Sequence, residues 1–80
     1  MDLIDELRIA LKGQIEDGTI VRIRQADYDV LANDGPSLPV FIIDVDAPDP
    51  MRHLQPIVRA IYAAGLMNAL RIELQSVSKE

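Results

Sequence analysis

Polar and apolar residues change period along the chain, and each change marks an element. Leu3, Ile4, Leu7, Leu11 and Ile15 recur at three- and four-residue spacing, which puts them on one stripe of a helix. Asp2 stands where a capping residue belongs, and Asp5 and Glu6 lie near the positive N-terminal end. Gly13 weakens the last turns and Gly18 is a stop, so the helix should end between them. Thr19 to Gln25 then alternates, with Val21 and Ile23 facing one way and Ile20, Arg22 and Arg24 the other. That is the pattern of a half-buried strand. Ala26 to Leu31 reads two ways. Tyr28 and Val30 extend the strand, which is the reading adopted, while Gln25 to Asn33 also fits a short helix ending at Gly35.

Asn33-Asp34-Gly35-Pro36-Ser37 is a turn cluster. Pro39 to Asp46 follows, with Val40, Phe41, Ile42, Ile43 and Val45 leaving little room for a wet face, so it predicts a central strand. Asp49 before Pro50 predicts a helix start, a capping carboxylate followed by proline at the first helical position. Pro56 lies only six residues further on. Either the helix kinks there or Met51–His53 forms a separate turn. Leu54, Ile57, Val58 and Ile61 form the next apolar stripe, opposite Gln55 and Arg59, and Ala63-Ala64-Gly65 ends it. Leu70, Ile72 and Leu74 alternate with Arg71, Glu73 and Gln75 in a last strand, before the polar tail Ser78-Lys79-Glu80.

The order α-β-β-α-β predicts a single α+β domain, a two-layer sandwich. Its mixed sheet has three, at most four, strands and carries both helices on one face. The first two strands form a hairpin. The second and third, joined through a helix, should run parallel with a right-handed crossover. The other face would be open and display Arg22, Arg24, Arg71, Glu73 and Gln75. Ferredoxin-like fragments and small phage assembly subunits share this element order, which is a likeness of fold and carries no function.

Composition narrows the chemistry more than the fold. The 80 residues are 49% apolar, with Phe41, Tyr28 and Tyr62 as the only aromatics and no cysteine. Thiol catalysis, a cysteine-ligated zinc site and a disulfide framework are excluded. The aromatic platform that stacks bases is missing. The net charge of −5 repels phosphate backbones at long range and disfavours nucleic acid as a partner. The acidic N-terminus is not that of a signal peptide, and the longest apolar run, Val40 to Ile43, is too short to cross a bilayer. A cytoplasmic protein is expected.

Three constellations carry candidate chemistry. Asp44 and Asp46 share a strand face, and Asp49 opens the next helix. Three carboxylates at the C-terminal end of a strand suit Mg²⁺ or Mn²⁺ and phosphoryl chemistry. Against this, Asp49 has a sufficient role as a cap and no phosphate loop accompanies the group. Arg22, Arg24 and Arg71 form a positive patch that suits RNA, or equally a solvated face of cross-strand ion pairs beside Glu73. His53, the only histidine, stands four residues after Asp49 and has no serine suitably ordered with it. No catalytic motif is complete. The leading expectation is a non-enzymatic protein-binding module, a small accessory, inhibitor or assembly protein. It would act on a protein partner or on its own copies through an edge strand or through Arg22, Arg24, Arg71, Glu73 and the acidic turn Asp44–Asp49. Tyr62, Leu66 and Met67 offer a second anchor, unless Leu66 and Met67 simply cover the bottom of the core.

Overall fold

The computed structural model describes residues 2–31 and 35–77. Asn33 and Asp34 of the turn cluster and the tail Ser78–Glu80 lie outside the described residues. The elements are α1 (Leu3–Ala10), α2 (Lys12–Glu16), β1 (Ile20–Leu31), β2 (Ser37–Val45), a 3-10 turn (Pro50–His53), α3 (Leu54–Ala63) and β3 (Arg71–Ser76). The described strands form a three-stranded mixed sheet in the order β1-β2-β3, with β1 antiparallel and β3 parallel to the central β2. No fourth strand is formed by Ala26–Leu31, which continues β1. Among the described residues no helix is long and apolar enough to cross a membrane.

The first amphipathic stretch is two helices rather than one. The break falls at Leu11 (φ −103°, ψ 18°), two residues before Gly13, and Leu11 itself is fully buried. Beyond the break the apolar stripe turns away from the core, so Ile15, expected inside, is exposed. Asp2 occupies the N-cap of α1 but its side chain makes no capping bond; the Asp2 carbonyl accepts from the Asp5 and Glu6 N–H groups instead. Gly18 ends α2 at φ +85°, and the Asp17 carboxylate accepts the Thr19 N–H at 2.8 Å.

Asp49 does cap its turn, accepting the Met51 N–H at 3.2 Å, and Pro50–His53 forms the separate turn. Pro56 is thereby third in α3, where an N–H has no intrahelical partner to lose. The end of α3 is a Schellman motif: Leu66 N–H donates to the Ile61 carbonyl at 3.1 Å and Gly65 N–H to that of Tyr62 at 3.0 Å. Ile61 and Leu66, which this motif brings together, are both in the core.

Gly65 sits at φ +75° with no atom within 4 Å of where a Cβ would stand. Gly65→Ala is therefore expected to lose about 1 kcal/mol through backbone strain alone. Gly13→Ala, inside α2 with the same free space, should gain about 0.5–1 kcal/mol. Urea midpoints that moved in the same direction for both would contradict these backbone assignments.

The core cluster joins Leu7, Leu11, Ile57 and Ile61 of the helices to Ile20, Ile23, Phe41, Ile43 and Val45 of the sheet, closed by Leu66 and Leu70. α1 and α3 thus lie on the face presented by Phe41, Ile43 and Val45. On β1 the expected alternation fails at one point. Ile20 pairs with Val45 and Arg22 with Asp44, so Val21 is an extra, bulged residue. The bulge turns Ile20 into the core beside Ile23 and leaves Val21 exposed, the reverse of the expectation for these two residues. A second irregularity, between Gln25 and Asp29, sets three residues against Val40. Beyond it the β1–β2 ladder continues as an arm, which accounts for a molecule 41 Å long and about half as wide.

Candidate functional site on the open sheet face

Pairing register fixes which side chains share the face away from the helices. Arg22, Asp44 and Gln75 form one cross-strand row, Arg24, Ile42 and Glu73 the next, and Val40 and Arg71 a third. Arg71 and Glu73 are exposed, as the expected arrangement of faces requires. The centre of the face is not open to water, however. Val40, Ile42 and Asp44 are buried without belonging to the main core cluster.

Asp44 is 2% exposed and is the buried charged residue of this face. Its Oδ2 accepts Arg22 Nε at 2.9 Å and Arg24 Nε at 3.3 Å, and Arg24 Nη2 donates to Gln75 Oε1 at 2.8 Å. The arginine side chains are 65% and 41% exposed. They lie over the carboxylate, so Asp44 is shielded by a single layer of side chains rather than by depth. Burial pushes the Asp44 carboxyl up. Hydrogen bonds from Arg22 and Arg24, then their charges, outweigh that and hold it below the ordinary 3.8. Tyr28 donates its hydroxyl to Glu73 across the sheet, and that bond raises the phenol above its ordinary value of 10.0.

The structure regroups the residues singled out in the sequence. Asp44 is brought to Arg22 and Arg24, while Asp49 caps the 3-10 turn and Asp46 is exposed, with its N–H donating to the Thr19 carbonyl at 2.9 Å. Among the described residues no group of three His, Cys, Asp or Glu side chains is gathered to hold a metal ion. Arg71 is not brought to the other two arginines. Its Nη1 turns back to the Met67 and Leu70 carbonyls at 2.9 and 3.0 Å, bracing the loop before β3. His53 faces an open cleft with Gln14, Asp17, Thr19 and Pro56 rather than a pocket built with Asp49. Leu66 is buried and Met67 packs on the core, which leaves Tyr62 as the exposed member of that trio.

Two features went unread in the sequence. The arm exposes Tyr28 (48%), Val30 (42%) and Leu31 (81%) along the outer half of β1, whose second side has no partner strand among the described residues. Near the other end of β1 lies an open pocket of about 210 Å³ lined by Arg8, Ile15, Ile20, Val21, Arg22 and Ile23. The first was signalled by the run Asp27-Tyr28-Asp29-Val30-Leu31, which alternates with no helix left to cover it. The second follows from the bulge and the helix break, which no residue pattern announces. Comparison with family models, curated proteins and solved structures finds no significant match.

Proposed function

We propose that the protein is a non-enzymatic protein-binding module that engages its partner through β1, by the free edge and the adjoining open face. One observation supports this most. A twelve-residue strand, paired on one side only among the described residues, ends in an arm that presents Tyr28, Val30 and Leu31 to solvent. A free edge offers backbone donors and acceptors to an added strand, and exposed apolar side chains on the same strand supply the anchor. The arginines beside it are tied to Asp44, so their positions are set before any partner arrives, which lowers the ordering cost of binding.

Tagged protein recovered from lysate of its source, with nuclease present, tests the reading against a Val30→Thr/Leu31→Ser variant. The expected result is a partner retained in stoichiometric amount by the parent chain and reduced roughly tenfold or more by the variant, since an apolar anchor carries much of an interface. Equal recovery by both chains, or recovery only without nuclease, overturns it; the second outcome would move attention to RNA on the arginine face.

A further inference from the structure

We infer that the partner at the β1 edge is a second copy of this chain, joined by antiparallel pairing of β1 with β1 about a two-fold axis at Ala26. This inference rests on the binding-module reading and names its partner.

The two halves of β1 are unlike and complementary. The inner half borders the apolar pocket, with Arg8 and Arg22 in its wall and no side chain of the same copy filling it. The outer half carries Asp27 and Asp29 and the exposed Leu31. A two-fold axis at the middle of the strand sets each half against the other, and such an interface must be self-complementary.

The faces agree as well. Ile23, Gln25 and Asp29 pair with Ile43, Phe41 and Pro39 and so lie on the helix side. Arg22, Arg24 and Tyr28 reach Asp44 and Glu73 and so lie on the open side. Alternation therefore holds from Arg22 to Leu31 despite the second bulge. Pairing centred on Ala26 puts Ile23 opposite Asp29 of the second copy, and Val21 opposite Leu31. On the helix side, Leu31 then meets the mouth of the apolar pocket and Asp29 comes alongside Arg8, which has no ion pair among the described residues. On the open side, Val30 faces the stem of Arg22, an apolar cover. Bulges blunt an edge against indiscriminate pairing, so these side-chain matches carry the choice of partner.

Sedimentation of the purified chain at high micromolar concentration is the test. The parent is expected at twice its 8.9 kDa mass. Arg8→Glu and Asp29→Lys, each occurring twice per dimer, should weaken association roughly tenfold or more. An equimolar mixture of the two variants should recover the dimer, because both contacts become opposite in charge again. Circular dichroism confirms that each variant is folded. A monomeric parent, or a dimer indifferent to both substitutions, overturns the inference. If the parent is monomeric while the Val30→Thr/Leu31→Ser variant still loses a foreign protein in the pull-down, the second copy is removed and the binding module stands. If neither effect is seen, both fall.

Discussion

Phe41→Ala is expected to lose about 3–5 kcal/mol and to leave much of the protein unfolded in dilute buffer at room temperature. The size of the effect follows from where the ring sits. Phe41 is the only phenylalanine, is buried to 1%, and lies mid-sheet between Gln25 on β1 and Ile72 on β3, facing the helices. The rest of the core is aliphatic, with Leu7, Leu11, Ile57 and Ile61 above it, so no second aromatic can swing into the cavity. A chain of this length holds roughly 4–12 kcal/mol in total, at about 0.05–0.15 kcal/mol per residue. The loss is therefore comparable to the whole stability. Phe41→Leu keeps most of the volume and should cost about 1 kcal/mol. Urea unfolding followed by circular dichroism separates the two. An alanine variant whose midpoint fell no further than that of the leucine variant would mean that the ring does not fill this position.

How much of this was legible in the sequence depends on how far a residue's role is set by its own neighbours. β2 and β3 were legible because burial on two faces or one writes itself as a continuous or alternating pattern. So was the end of α3, where Gly65 supplies the conformation the Schellman turn needs. Pro56 was readable as a dilemma, and the structure takes the separate turn because that places the proline in the first turn of α3. Ile20 and Val21 were misread because a bulge shifts alternation by one residue without any change of residue type. The bulge also sets the register that brings Arg22 opposite Asp44. Asp44 accordingly looked like a companion of Asp46 and Asp49, its neighbours in sequence. Its partners in space stand 22 and 20 positions away. The helix break at Leu11 was missed for a related reason: a continuous apolar stripe does not record whether the backbone beneath it is continuous. The pocket beside Arg8 depends on both missed features.

The arrangement around Asp44 makes the second large prediction, and its sign depends on which partner is removed. Asp44→Ala takes away the carboxylate and leaves two exposed guanidiniums that water can solvate, so a loss of about 1–2 kcal/mol is expected at neutral pH. Arg22→Met/Arg24→Met keeps the side-chain cover and removes the donors. The carboxylate then stays shielded with its charge uncompensated, and the loss should reach about 3 kcal/mol or more. The two cases also part in acid. In the parent, the carboxyl sits below its ordinary 3.8, so its contribution is present above that pH and is lost as pH falls through the folded-state value. In the double methionine variant only the desolvation remains, which raises the carboxyl above its ordinary value. That variant should regain stability as pH falls through the raised value, because protonation relieves the buried charge. The gap between parent and variant is therefore widest at neutral pH and closes on acidification. Urea unfolding at neutral and acid pH, with the Asp44 carboxyl followed by NMR titration, reads both effects. A gap independent of pH, or a carboxyl that titrates alike in the two proteins, would show that Arg22 and Arg24 cover Asp44 without neutralising it.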